Sequence, residues 1–515
     1  MDALNGLMFG LQVAIQPEFL LAAFIGVLAG TAIGVLPGLG PVAGAAVLLP
    51  FALTLDPAAA VILIAGIYYG GMYGGSISSI LLNIPGEAAS VVSAFEGHPL
   101  AKKGRAGPAL GITVFASFVA AMLSVVAVIL FTPSLAKVGL EFGPVEYLAL
   151  ALGGLILLAR ISDAGKGWAA GLLPLAAGLA LGTVGEEAFT GTNRFVLVPD
   201  LATGISTVTV AVGLFGIPEL MKMVSEKQGS TRIAPVSVRS LIPSRDDFKN
   251  SWPATLRGAP LGFGFGLLPG PSATLATFSS YKLEKSVSKR KHLFGKGAIE
   301  GLAGPEAANN AASTSSIIPV LALGIPFSAT LALMLPALIA QGITPGPMIM
   351  VEHPEIFWGV IASMIVGNLM LVVLNIPLIG VWVRVLRVPI PFLVAGIVGV
   401  IMIGVYSVQE SSLDLYILLL IGVASYVFKR LDFELVPLLL GVVLGPMIEE
   451  NFRTALILHH GDVTKLFTEP IALVIWVLVV GGIAVSQVAE YRRRAKEKRL
   501  ASASKTQEAL QAEAR

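Results

Sequence analysis

Cysteine is absent from all 515 residues, which excludes disulfides, thiolate metal sites and a cysteine nucleophile. Charge is almost as scarce. Asp, Glu, Lys and Arg make up 13% of the chain, against about 25% in soluble domains. The formal net charge of +2 supplies no basic field for nucleic acid. The first 18 residues hold no Lys or Arg, so the positive n-region of a cleavable signal peptide is missing, and the first apolar run is expected to be a retained span. A surface this poor in charge has to face something apolar.

What is there is apolar residue in long runs. Phe19 to Val35, Pro108 to Phe131, Val145 to Ala159, Phe357 to Val383 and Pro470 to Val488 carry little or no charge. A bilayer core needs about 20 such residues per helix. The expected fold is an all-α polytopic membrane protein with roughly ten to twelve spans and no sizeable soluble domain. Its 57 Gly and 32 Pro suit membrane helices, where Gly permits close approach and neighbours re-satisfy a backbone broken by Pro.

The chain repeats itself. Gly34-Val-Leu-Pro37-Gly38 matches Gly266-Leu-Leu-Pro269-Gly270, and Ser76-Ile-Ser78-Ser79-Ile80 matches Ser313-Thr-Ser315-Ser316-Ile317. Each serine run leads to an Ile-Pro pair, Ile84-Pro85 and Ile325-Pro326, and Phe115-Ala-Ser117-Phe118 then parallels Ile361-Ala-Ser363-Met364. Positive charge falls on opposite sides of the two halves. Thr54 to Pro57 has no Lys or Arg, whereas its counterpart Tyr281 to Gly297 carries Lys282, Lys285, Lys289, Arg290, Lys291 and Lys296. After the second motif the bias reverses: Lys102, Lys103 and Arg105 in half one, none between Gly342 and Glu355 in half two. By the positive-inside rule these are inverted-topology repeats. The expected organisation is a first membrane repeat over 1–224 and a cytoplasmic connecting loop over 225–257. A second repeat plus terminal helix follows over 258–489, then a cytoplasmic tail over 490–515. Pro174, Gly178, Gly182, Glu186 and Glu187 also resemble Pro437, Gly441, Gly445, Glu449 and Glu450, but half two has an extra apolar run, Leu413 to Phe428, ahead of this motif.

Four breaks interrupt the apolar stretches in two pairs. Pro37-Gly38-Leu39-Gly40-Pro41 pairs with Pro269-Gly270-Pro271-Ser272, and Asn83-Ile84-Pro85-Gly86 pairs with Gly324-Ile325-Pro326. No helix crosses such prolines intact, and exposed backbone in lipid costs several kcal/mol per group. The breaks therefore belong around a protein-lined cavity, as discontinuous or re-entrant helices. Half-helix N-termini offer free N–H groups and about half a positive charge each, which suits an anion. Nearby polar residues are neutral: Ser76, Ser78, Ser79 and Asn83 in half one, and Ser272, Thr274, Asn309, Asn310, Ser313, Thr314, Ser315 and Ser316 in half two. Their oxygens can also hold Na⁺. Glu87 and Glu306 follow Pro-Gly and Gly-Pro; each is either an ion-coupling acid or a helix-terminal partner at the interface. A lone Pro-Gly is ordinarily a kink, and a lone Ser ordinarily bonds the preceding turn. Tyr69-Gly-Gly71 and Tyr73-Gly-Gly75 read as packing glycines with interfacial aromatics, and His459-His460-Gly-Asp462 as solvated loop.

Gly34-Val-Leu-Pro-Gly-Leu-Gly40, Tyr69-Gly-Gly-Met-Tyr-Gly-Gly-Ser76, Asn83-Ile-Pro-Gly-Glu87 and above all Gly304-Pro-Glu-Ala-Ala-Asn-Asn310 resemble the large membrane subunit, TctA, of the tripartite tricarboxylate transporters. The resemblance covers essentially the whole chain. It implies a bacterial inner-membrane secondary transporter working with a small membrane subunit and a periplasmic solute-binding protein. It also implies citrate-like tricarboxylates or related carboxylates as substrate, and uptake driven by Na⁺ or H⁺ with no other cofactor. Two other classes compete. A stand-alone carrier or exporter of another organic anion would need no binding protein. An intramembrane enzyme would need a nucleophile with a base, or two facing acids, and the spans contain no paired Asp. Without a Walker A motif the chain itself hydrolyses no ATP.

Overall fold

In the computed structural model the described residues are 3–36, 39–139, 141–161, 168–187, 190–225, 236–268, 270–386, 388–488 and 491. Pro37, Gly38, Pro269 and the tail from Arg492 lie outside them. The first half builds α1 (Ala3–Ala14), α2 (Pro17–Val35), α3 (Pro41–Ala52), α4 (Pro57–Leu82), α5 (Val91–Lys102), α6 (Ala106–Gly139), α7 (Pro144–Ile161), α8 (Trp168–Gly182) and α9 (Thr207–Ser225). The second builds α10 (Arg245–Gly266), α11 (Ser272–Val287), α12 (Glu300–Ser315), α13 (Ile317–Leu323), α14 (Ala329–Ala332), α15 (Met334–Ile339), α16 (Ile349–Glu352) and α17 (Pro354–Asn375). It continues through α18 (Ile379–Val385), α19 (Ile390–Gln409), α20 (Ser412–Arg430), α21 (Val436–Leu458) and α22 (Lys465–Thr468) to α23 (Pro470–Val488). Helix α10 starts inside the stretch expected as connecting loop. The only strands among the described residues are the two-residue pair Gly185–Glu186 and Asn193–Arg194.

This is an all-α polytopic membrane protein. Eight helices among the described residues are long and apolar enough to span a bilayer: α2, α4, α6 to Phe131, α9, α17, α19, α20 and α23. That is fewer than the ten to twelve expected, because several apolar helices stop short, among them α3, α8 and Ala329–Ile339. The spanning window of α4 is wholly buried, whereas those of α19 and α23 are 11% buried. Helix α4 is thus the centre, and α19 and α23 turn their apolar residues outward, as lipid-facing helices do.

Glycine sets the direction of the central helices. A Cβ on Gly26, Gly30 or Gly34 would fall 2.3–2.4 Å from the carbonyl oxygens of Leu63, Ile67 and Gly71. Both series rise together, so α2 and α4 are parallel. A twelve-residue α3 joins them, and it runs back: Pro41 meets Gly71 and Gly44 meets Ile67. The α2–α3 pair is therefore a helical hairpin, with α3 returning alongside α4. The second half repeats this packing. Gly258, Gly262 and Gly266 lie against Gly304, Ala308 and Ala312, so α10 and α12 are parallel. Helix α11 runs back between them, with Glu284 at Gly304 and Ala273 and Ala276 among Ala308 and Ala312. Close backbone contact through Gly and Ala is how helices associate where lipid removes the hydrophobic drive.

The second breaks have a common geometry. Helix α4 ends at Asn83 (φ 61°) and α13 at Gly324 (φ 71°), both left-handed, each followed by Ile-Pro. Asn and Gly are the residues that tolerate this cap, and the proline stops the helix from resuming. Each hairpin unit packs on the other half. Asn310 Nδ2 donates to Ser117 Oγ of α6 at 2.7 Å, while Tyr69 of α4 lies against Gly367 and Ser363 of α17. Centrally, α4 and α12 are antiparallel: Tyr68 reaches Ser316, and Ser76, further along α4, reaches Glu306, earlier on α12. Helices α8 and α21 also meet reciprocally, Gly178 on Leu438 and Gly441 on Leu175, where the second glycine motif pointed.

Candidate functional site

One large cavity, about 1070 Å³, collects all four breaks. Its wall takes Gly40 to Ala43 from the first, Pro85 to Ala89 from the second, Gly270 to Thr274 from the third and Phe327 to Thr330 from the fourth. Three helices begin at this wall: α3 after Gly40, α5 at Val91 and α11 at Ser272. No side chain caps any of the three. First-turn N–H groups of a helix have no intrahelical acceptor, so three positive dipole ends converge on one space. Such helix ends suit an anion without a buried Arg or Lys.

The expected site residues divide into two groups. Gly40, Pro85, Gly86, Glu87, Gly270 and Ser272 line the cavity. Pro326 is buried next to the lining Phe327, and Asn83 is exposed at its cap position. Ser76, Ser78, Ser79, Asn309, Asn310, Ser313, Ser315 and Ser316 are all buried outside the cavity lining. Most of these serines bond to their own helix. Ser78 and Ser79 donate to Gly75 O at 3.0 and 2.8 Å, Ser313 to Asn310 O at 3.0 Å and Ser316 to Ser313 O at 2.9 Å. Ser315 instead reaches Phe263 O of α10 at 2.9 Å, tying the hairpin to α12.

The two acids differ in setting. Glu306 is fully buried in α12. It accepts from Ser93 Oγ of α5 and, at 3.5 Å, from Ser117 Oγ of α6. Glu87 is half-buried on the cavity wall, where Asn309 Nδ2 approaches its Oε1 at 3.5 Å. Neither carboxylate has a Lys or Arg within ion-pair distance among the described residues. A third acid, Glu96 of α5, ties the halves together. It is fully buried and accepts from Gly297 N, Ala298 N and Tyr281 Oη at 2.7, 2.8 and 2.7 Å.

Sequence reasoning missed the cavity's charged rim. Glu219 and Lys222 from the last turns of α9, Lys429 from the end of α20, and Asp432 and Glu434 ahead of α21 all border it, with Lys429 paired to Glu219. Nothing in the sequence singles them out, since a Lys in a last turn is ordinary for any helix. Tyr68 was also missed. The tyrosines of the Tyr-Gly-Gly motifs are not interfacial: Tyr69 and Tyr73 are 1% and 3% exposed at the centre of α4. The glycines that follow them do pack helices, Gly70 and Gly74 against α2.

Eight apolar helices long enough to span a bilayer, with paired hairpins around one large cavity, define a multi-pass membrane protein. The chain matches the family model of the tripartite tricarboxylate transporter TctA family over residues 20–440. It belongs to that family, the large subunits of tripartite tricarboxylate transporters. Two relatives from Agrobacterium vitis are similar. An uncharacterized 52.8 kDa protein in the TAR-I ttuC' 3' region is 43% identical over 473 residues, covering 92% of this chain and 94% of the relative. An uncharacterized protein in the TAR-II ttuC' 3' region is 51% identical over 207 residues, 40% of this chain and 86% of the relative. No solved structure matches.

Proposed function

We propose that this chain is the substrate-translocating subunit of a binding-protein-dependent secondary transporter that imports tricarboxylates, citrate-like, or related carboxylates. The observation that carries this reading is the convergence of three uncapped helix N-termini on one cavity. A polycarboxylate is small enough for the space and accepts from many donors at once. In this reading the partners are a small membrane subunit and a periplasmic solute-binding protein, the location is the bacterial inner membrane, and the basic tail is cytoplasmic.

The moving parts in this reading are two inverted-topology repeats, 1–224 and 258–489, working by alternating access. Support comes from the matched parallel pairs α2/α4 and α10/α12 and from the opposed directions of α4 and α12. The cavity rim adjoins Lys222, at the end of α9, which feeds the connecting loop. With that loop cytoplasmic, the cavity opens inward. A Na⁺ or H⁺ gradient drives uptake, with Glu87 and Glu306 as the acids available to couple it.

The test is uptake of labelled citrate into proteoliposomes under an imposed Na⁺ or H⁺ gradient, with the candidate small subunit and binding protein added singly and together. Uptake that requires all three components is expected. Uptake by this chain alone would make it a stand-alone carrier, and a panel of other carboxylates then sets the substrate.

A further inference from the structure

The cavity wall is chemically lopsided, and the imbalance sits at positions that correspond between the halves. Helix α4 and the α12–α13 pair both end at a left-handed residue before Ile-Pro, Asn83 and Gly324. Counting from those ends, Glu87 in half one corresponds to Ser328 in half two, and Tyr68 to Asn309. The contacts obey the same correspondence. Asn309 approaches Glu87, and the Tyr68 hydroxyl lies within reach of Ser328. Three of these four side chains, Tyr68, Glu87 and Ser328, line the cavity. One is charged.

One polar group in this quartet is under-satisfied. Asn309 is 1% exposed, and its Oδ1 has no hydrogen-bond donor. Its Nδ2 stands 3.5 Å from Glu87 Oε1, at the limit for a hydrogen bond. A buried amide oxygen without a partner is left with its full desolvation cost. Turning the amide over would aim Oδ1 at the Glu87 carboxylate, an arrangement that repels unless a cation lies between the two. Ser328 Oγ makes no cap bond to its own helix and turns to the Tyr68 hydroxyl instead.

We propose that Glu87, Asn309, Tyr68 and Ser328 form a Na⁺ site in the wall of the cavity. The donor set is one carboxylate, one amide oxygen and two hydroxyls. All are hard oxygens, and the single negative charge matches a monovalent ion; Ca²⁺ sites gather more carboxylates and Mg²⁺ demands near-ideal octahedral geometry. Unwound backbone beside the site, residues 83 to 90, can add carbonyls. The ion would put a positive charge beside the helix breaks, where the Glu87 carboxylate otherwise repels an anionic substrate. Glu306, by contrast, does not border the cavity and is enclosed by Ser93 and Ser117, so it holds α5, α6 and α12 together. This assignment deepens the transport reading and rests on it for its purpose, but binding itself is measured apart from transport.

The experiment uses the purified full chain in detergent, without substrate or partners. Binding of ²²Na⁺ is measured directly, and thermal unfolding is followed as Na⁺ replaces choline or K⁺ at constant ionic strength. The expected result is saturable ²²Na⁺ binding and a Na⁺-specific rise in Tm. Glu87→Gln and Asn309→Ala should each weaken apparent Na⁺ affinity tenfold or more, Ser328→Ala less, and Ser407→Ala on the outer face of α19 not at all. Glu87→Asp, which keeps the charge but shortens the reach, stands in if Glu87→Gln aggregates. Wild-type protein that binds no ²²Na⁺, or binding unchanged in both Glu87→Gln and Asn309→Ala, overturns the site. So does a Tm that responds to pH through Glu87 but not to Na⁺, which would make the position a proton site only. Failed citrate uptake with Na⁺ binding intact would sink the substrate reading and leave the site standing.

Discussion

Gly30 and Gly262 hold corresponding places, one in each hairpin. A Cβ on Gly30 would lie 2.4 Å from Ile67 O, and one on Gly262 2.2 Å from Ala308 O. Backbone cannot yield as a flexible side chain does, so the helices would have to separate. Gly30→Ala and Gly262→Ala should each destabilise the protein by about 1–3 kcal/mol, read as a lower Tm and a lower yield of monodisperse protein. Gly264→Ala is the control: no atom lies within 4 Å of its Cβ, and it should be neutral to within about 0.5 kcal/mol. A pH dependence belongs to Asp247, in the first turn of α10 ahead of its apolar part. Burial pushes its carboxyl up, but Arg105, through both oxygens at 2.7 and 2.6 Å, and Ser244 outweigh burial and hold it below the ordinary carboxylate range. A depressed native pKa stabilises above the unfolded value, near 4, and that contribution fades as pH falls through the native value. Arg105→Ala should therefore lower Tm at pH 7, and its deficit relative to wild type should shrink below about pH 4. A deficit constant across that range would mean that Arg105 acts through packing alone.

The paired hairpins make a topological prediction, and the native lack of cysteine makes it simple to test. Residue 54, between α3 and α4, and residue 291, between α11 and α12, occupy the same place in their hairpins. In whole cells a membrane-impermeant thiol reagent should label Thr54→Cys but not Lys291→Cys or Lys103→Cys, which become reactive only after permeabilisation. Labelling of positions 54 and 291 from one side would refute the inversion. The breaks behind this prediction were legible in the sequence because proline and left-handed Asn or Gly admit few backbones. The match of the serine runs was legible but misplaced. Ser76–Ile80 aligns with Ser313–Ile317 by identity, yet the Ile-Pro pairs align four residues differently. Packing follows the latter, since Tyr69 meets Ser363 where Asn310 meets Ser117. Four residues are about one helical turn, so a slip of that size keeps every side chain on the same face and leaves the pattern looking intact.

At the scale of the molecule, the sequence showed that four breaks meet but not what stands at the entrance. Glu219 and Lys429 are ordinary terminal residues of two spans far apart in the chain, and only the packing of α9 on α20, through Gly213 on Ile421 and Gly422 on Ile217, joins them. The central serines had the opposite fate. They are conspicuous in the sequence, yet their hydroxyls bond their own helix or lock neighbouring helices, and the cavity is walled by helix ends and the breaks beside them instead. Side-chain identity advertises polarity, whereas a free N–H belongs to the backbone and leaves no mark in composition. The cavity should accordingly be reachable from the side of the basic connecting loop and closed by its own ligand. Thr274→Cys, on the first turn of α11 within the cavity wall, is the reporter. In inside-out vesicles an impermeant thiol reagent should modify it, and a tricarboxylate should slow that reaction several-fold while leaving Lys291→Cys unaffected. Modification from the outer face alone would mean that the cavity opens outward. Equal rates with and without any carboxylate would show that the converging helix ends hold something other than the substrate.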